Sequence, residues 1–132
     1  MFYWLLRHWV VGPFMTRVFR PWVVGLDNIP EHGGAIIAGN HLSVIDSFLM
    51  PLVIDRRVWF LAKSDYFNGP GLKGKLVRWF FLAVGQLPMD RSGGEKSSQS
   101  LNAALQQLQD GGLIGIYPEG TRSPDGKLYR GR

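Results

Sequence analysis

The sequence predicts an α/β domain in which a largely parallel sheet is flanked by helices and preceded by an N-terminal leader of interfacial helices. Three observations predict this class. From Val23 onward, short apolar runs of strand length alternate with longer runs of helix length. Gly, Pro, Asn and Asp separate these runs as turn residues do. A chain of 132 residues with 45% apolar and 19% charged content has the size and composition of one domain with one core. Alternation of strand and helix is the pattern of βαβ units, whose ligands collect beyond the carboxyl ends of the strands.

The leader, residues 1–26, stands apart from the core, residues 27–132. Before Asp27 the chain carries Arg7, Arg17 and Arg20 and no acid, interleaved with Trp4, Trp9, Trp22, Phe14 and Phe19. Arg7, Pro13 and Arg17 interrupt every apolar run, so none approaches the ~18 residues of a spanning helix. The leader also lacks the succession of basic start, clean apolar run and small-residue cleavage site that marks a secretory signal. Residues 1–26 therefore read as one or two short helices in a membrane interface, with tryptophans at headgroup depth and arginines on anionic phosphates. The competing reading docks the same apolar faces on the rest of the protein. The interfacial reading is preferred.

The core elements follow in order. VVGLDNIPEHGG (23–34) reads as a strand and then a loop, and AIIAGN (35–40) as a short buried strand. SVIDSFLMPLVI (43–54) has the length of a helix ending near Pro51. RRVWFLAK (56–63) is a strand, GLKGKLVRWFFL (71–82) a helix and AVGQLPMD (83–90) a third strand. EKSSQSLNAALQQLQDGG (95–112) is a helix with Leu101, Ala104, Leu105 and Leu108 on one apolar face, stopped by Gly111 and Gly112. LIGIYP (113–118) closes the series as a strand.

Composition narrows the chemistry. With no cysteine, disulfides, thiolate nucleophiles, Cys-ligated zinc and iron-sulfur clusters are excluded. A net charge of +5 calls for an anionic partner: nucleic acid, a phospholipid surface or a phosphorylated small molecule. Gly69, Gly71 and Gly74 satisfy a dinucleotide-binding spacing, but SDYFN separates them from the preceding strand. Leu76 after Lys75 likewise denies a phosphate loop its magnesium-binding hydroxyl. The stretch is a turn before a helix.

GNHLSVIDSF (39–48) has two readings. Ser43 and Asp46 have the spacing of a capping box, which satisfies the free amides of a helix's first turn. His41 lies outside that explanation, after a strand and before the helix. Asp46 can reach back to one ring nitrogen and leave the other as an acceptor, which suits general-base catalysis. A hydrolase built on Ser43 lacks the G-x-S-x-G turn. His8 and His32 lack ligand spacing, so no metal site is expected. YPEGTRSPDGK (117–127) brings Glu119, Gly120, Thr121 and Arg122 out of a buried strand. The glycine permits close backbone approach, and the guanidinium suits phosphate. LPMDRSGG (87–94) places Asp90 and Arg91 at another strand end. Singly, each of these is also a plausible surface turn.

Together, NHLSVID, LPMDR and YPEGTRS resemble the three ordered motifs of the glycerolipid acyltransferase family, most closely the bacterial 1-acylglycerol-3-phosphate acyltransferases. The resemblance covers residues 22–132. It implies that His41 is a general base, that Asp46 orients it, and that Arg91, Glu119, Gly120, Thr121 and Arg122 form the glycerophosphate site. It also implies an acyl-CoA or acyl carrier protein co-substrate, no further cofactor, and a lysophospholipid acceptor. The enzyme would sit as a peripheral or monotopic protein on the cytoplasmic face of the cell membrane, with no nucleic-acid partner. Rival readings are an acyltransferase for another lysophospholipid or a glycolipid, and a nonenzymatic membrane- or nucleic-acid-binding module. The family's fourth motif, a Val-Pro-containing strand, does not occur before Arg132, so a C-terminally truncated sequence is expected.

Overall fold

The structure is a computed structural model that describes residues 1–90 and 94–131. Four parallel strands form its sheet: β1 (Ala35–Ala38), β2 (Val58–Lys63), β3 (Gln86–Met89) and β4 (Leu113–Ile116), in the order β1-β4-β2-β3. The last strand thus inserts beside the first, with Ala35 opposite Leu113 and Ala38 opposite Ile116. Their carboxyl ends emerge side by side.

Strand alternation separates two cores. Val58, Phe60 and Leu113 point to one face and pack with Ile54 and with Met50 and Val53 of α3 (Asp46–Val53). On the other face, Leu87 and Ile114 pack on Ala104 and Leu108 of α5 (Gly94–Gln109). Of the apolar face expected for α5, only the Ala104–Leu108 line is covered. Leu101 and Leu105 stay exposed because the helix lies over β3 and β4 along the other two. α4 (Gly71–Ala83) begins after Pro70, and Gly74 packs so tightly on Gly69 that a side chain would strike its carbonyl. That contact gives the glycine-rich stretch a packing role at a helix start.

Two further expectations are corrected. Residues 23–34 contain no strand but a single 3₁₀ turn at Leu26–Asn28, since among the described residues β1 pairs only with β4 and Val23 and Val24 find no sheet partner. The helix expected to end near Pro51 runs on to Val53. Its last carbonyls find donors from outside: Tyr3 Oη donates to Pro51 O (3.4 Å), and Arg7 Nε and Nη2 donate to Leu52 O (3.2 and 3.0 Å).

Those donors belong to the leader, which comprises α1 (Phe2–Leu5), a π-helical turn (Leu6–Val10) and α2 (Val11–Phe19). α2 stops where Arg20 turns left-handed and Pro21 cannot continue the helix. Arg7 also pairs with Asp55 at 2.8 Å, and Phe2 packs on Trp79 and Phe80 of α4. Arg57 lies over the rings of both Tyr3 and Trp59. The leader is docked on this side and bare on the other, where Trp9 (81%), Phe14 (63%) and Trp22 (88%) stand exposed. Among the described residues no helix is long and apolar enough to cross a membrane.

Candidate active site

The site forms where β1 and β4 end. Gly39 N–H extends the ladder by one bond to Ile116 O (3.1 Å), and the chain then turns through Asn40 and His41 toward α3. One carboxylate oxygen organises that turn. Asp46 Oδ2 accepts hydrogen bonds from the amides of Leu42 and Ser43 (2.7 Å each) and faces His41 Nδ1 at 3.1 Å. With Nδ1–H directed at the carboxylate, Nε2 carries the free lone pair. The two readings of GNHLSVIDSF are therefore compatible, because Asp46 serves the helix entry and the imidazole with the same atom. The reciprocal half of the capping box is absent. Among the described residues Ser43 Oγ accepts only from Ile45 N–H (3.4 Å), and Ile45 is the residue that precedes the helix.

Partial burial opposes ionisation of Asp46, but the Ser43 amide, the His41 ring and the Leu42 amide together outweigh it and lower its pKa. A residue that sequence reasoning passed over completes the support. The Tyr117 ring stacks on His41 with centroids 4.0 Å apart and planes 14° from parallel, and Phe60 backs Tyr117 at 5.9 Å. Burial raises the Tyr117 pKa, with the Ser47 side chain opposing and the Asp46 carboxylate adding to the shift. Ser47 nevertheless lies outside hydrogen-bond geometry, and the buried Tyr117 hydroxyl has no hydrogen-bond partner among the described residues. The available signal was an aromatic residue directly after a strand that ends beside His41.

The turn after β4 reaches the same place. Ser123 N–H donates to His41 O (2.7 Å), which sets Arg122 one residue from a direct contact with the histidine peptide. Thr121 and Arg122 are exposed, and Arg122 makes no ion pair among the described residues. Gly120 holds a left-handed φ of 70°, where an added Cβ would meet nothing within 4 Å, and its N–H donates to Tyr117 O (2.9 Å). Glu119 differs from its neighbours in being buried, at 5% exposure. Beside it lies a cavity of about 230 Å³ lined by Ala38, Gly39, Asn40, Pro118, Leu128 and Tyr129 as well.

The second motif is less close. Asp90 follows β3, the far edge of the sheet, two strand spacings (about 10 Å) from β4. Its backbone is tied to α5 through Ser97 and Ser100. Arg91 lies outside the described residues. The structure brings together His41, Asp46, Glu119, Gly120, Thr121 and Arg122. Among the described residues no cluster of His, Asp or Glu is arranged to hold a metal ion.

A model of the Acyltransferase family matches residues 20–132. The chain belongs to this family. Among its relatives, the 1-acyl-sn-glycerol-3-phosphate acyltransferase of Borreliella burgdorferi is 30% identical over 79% of this chain and 40% of its own length. The lyso-ornithine lipid O-acyltransferase of Rhizobium meliloti is 28% identical over 95% of this chain and 40% of its own. The crystal structure of the 1-acyl-sn-glycerophosphate acyltransferase from Thermotoga maritima superposes with a TM-score of 0.66 at 27% identity, covering 93% of this chain and 49% of that one. This acyltransferase chain spans from 28% to 52% of the length of curated relatives it matches.

Proposed function

We propose that the protein transfers an acyl chain from a thioester, acyl-CoA or acyl carrier protein, to the free hydroxyl of 1-acylglycerol-3-phosphate, giving phosphatidic acid. The observation that carries this reading is the His41 ring: Nδ1 faces Asp46 at 3.1 Å and leaves Nε2 as an acceptor beside an arginine-bearing turn. A thioester is already activated, so the reaction needs only a better nucleophile and a stabilised oxyanion. Nε2 takes the hydroxyl proton as the oxygen attacks the thioester carbon. The tetrahedral oxyanion then collapses, the C–S bond breaks, and the imidazolium returns the proton to the leaving thiolate. Asp46 favours the imidazolium that forms in between. Arg122, with Thr121, Gly120 and Arg91, frames the site for the acceptor's phosphate, the arginines supplying its charged donors.

The bare face of the leader fits a membrane interface, where Trp9 and Trp22 would sit at headgroup depth and Arg17 and Arg20 would meet anionic lipid. Both acceptor and product are lipids of such a surface, and the thioester donors place the site on its cytoplasmic side. A second reading, in which the acceptor is another lysolipid, draws on the lyso-ornithine lipid relative, whose match extends over most of the chain. The test offers labelled acyl-CoA to the full-length protein with glycerol-3-phosphate, lysophosphatidate, lyso-ornithine lipid and other lysolipids. The proposal expects lysophosphatidate to be the preferred acceptor and His41→Ala to lose about 10²-fold or more in turnover. Near-normal turnover in His41→Ala refutes the catalytic assignment, and a strong preference for another lysolipid refutes the acceptor.

A further inference from the structure

Glu119 is the one fully buried charged side chain among the described residues, and it makes no ion pair there. A buried carboxylate is tolerated when donors satisfy it, and both oxygens are engaged. Oε2 accepts the backbone N–H of His41 at 3.1 Å, and Oε1 accepts the backbone N–H of Tyr129 at 3.3 Å. A phosphate brought to this carboxylate would meet like charge and would have to displace one of these donors. That chemistry does not suit a phosphate site.

It suits the control of His41. The peptide groups of that residue are gripped on both sides, since Glu119 takes the N–H and Ser123 N–H occupies the carbonyl at 2.7 Å. The ring is held between the Tyr117 face and the Asp46 carboxylate. Of these four restraints, three come from residues 117–123. We infer that Glu119 is a positioning residue, a strut that ties the His41 backbone to the arginine-bearing turn and to the segment at Tyr129, rather than a ligand of the acceptor. The kinetic half of its test rests on the acyl-transfer reading given above; the exchange half does not.

Glu119→Gln is the informative variant, because it keeps the shape and presents an NH₂ to one of the two backbone donors. In the full-length protein, hydrogen exchange of the segment whose amide meets the NH₂, that of His41 or that of Tyr129, should accelerate by about tenfold or more. The β4 amides should stay protected, which reports that the fold is intact. Turnover should fall by about 10- to 100-fold with the lysophosphatidate Michaelis constant changed by less than about twofold, as expected for lost positioning. Unchanged protection at both His41 and Tyr129 overturns the inference, and so does a raised acceptor Michaelis constant with turnover kept. Should the wild-type protein transfer no acyl group at all, the acyl-transfer reading fails and exchange at His41 and Tyr129 decides the role of Glu119. Should Glu119→Gln unfold, Glu119→Asp replaces it. Its shorter carboxylate reaches only one of the two amides, and deprotection confined to the His41 or the Tyr129 segment supports the strut while protection of both overturns it.

Discussion

Replacing Asp46 by Asn tests the centre of the site with the smallest change in shape. The amide can keep an oxygen toward the Leu42 and Ser43 amides, so the turn survives, but the negative charge 3.1 Å from His41 Nδ1 is gone. That charge matters most when the imidazole becomes imidazolium, because only interactions stronger in the transition state raise turnover. Two unit charges at 4 Å in partly solvated surroundings attract by about 4 kcal/mol. The amide dipole retains part of this, which leaves a loss of about 3 kcal/mol, or about two orders of magnitude in turnover. The assay is steady-state acyl transfer to lysophosphatidate, with both Michaelis constants expected to stay within about twofold of wild type. The same substitution should alter the acid limb of stability. Because the native pKa of Asp46 lies below the ordinary carboxylate value, its contribution is complete above that value and disappears as pH falls through the native one. Wild type and variant should therefore converge in stability at strongly acid pH and separate at neutrality. Turnover within about threefold of wild type would refute the role given to the pair.

Arg122→Ala should raise the Michaelis constant for the phosphate-bearing acceptor by about tenfold or more while leaving that of the acyl donor nearly unchanged. Arg122→Lys should recover only part, since one ammonium cannot reproduce the two-pronged guanidinium contact; equal effects on both substrates would argue for a structural or carrier-binding arginine. On the leader, Trp9→Ser combined with Trp22→Ser removes bare aromatic surface without touching the docked side chains of Tyr3 and Arg7. Binding to anionic vesicles should weaken by about tenfold or more and become weaker still with added salt, at an unchanged melting temperature; unaltered binding would leave the leader as a docked helix pair alone.

The fold was legible wherever local pattern decides it. All four observed strands and the helices between them coincide with runs whose period and flanking turn residues announce them, because strands and helices need different spacings; β1, expected to be buried, instead leaves Ile36 and Ala38 exposed on one face. Errors fell where a neighbour in space decides. Val23 and Val24 have the composition of a strand but no partner strand among the described residues. α3 outlasts Pro51 because Tyr3 and Arg7, more than forty residues earlier, cover its last carbonyls. The leader, read as interfacial in preference to docked, is docked through Phe2, Tyr3 and Arg7 and leaves Trp9 and Trp22 uncovered.

The site shows the same division between residue type and connection. His41 and Asp46 are five positions apart, and their pairing could be read directly. Glu119 and His41 are 78 positions apart, and nothing in either stretch indicates that a side chain from one holds the backbone of the other. Their meeting depends on the insertion of β4 beside β1, a choice of sheet order that alternation alone does not fix. The same pairing draws in residues that carry no chemistry. Gly115 lies in the middle of β4, where a Cβ would come within 2.4 Å of the Phe60 ring. Phe60 backs Tyr117, and Tyr117 stacks on His41. A glycine that looks like an ordinary strand residue thus gives an aromatic column the room to stand, and the column ends on the imidazole. Packing and catalysis are continuous here: the motif residues supply the reactive groups, while the register of two parallel strands determines where those groups can be held.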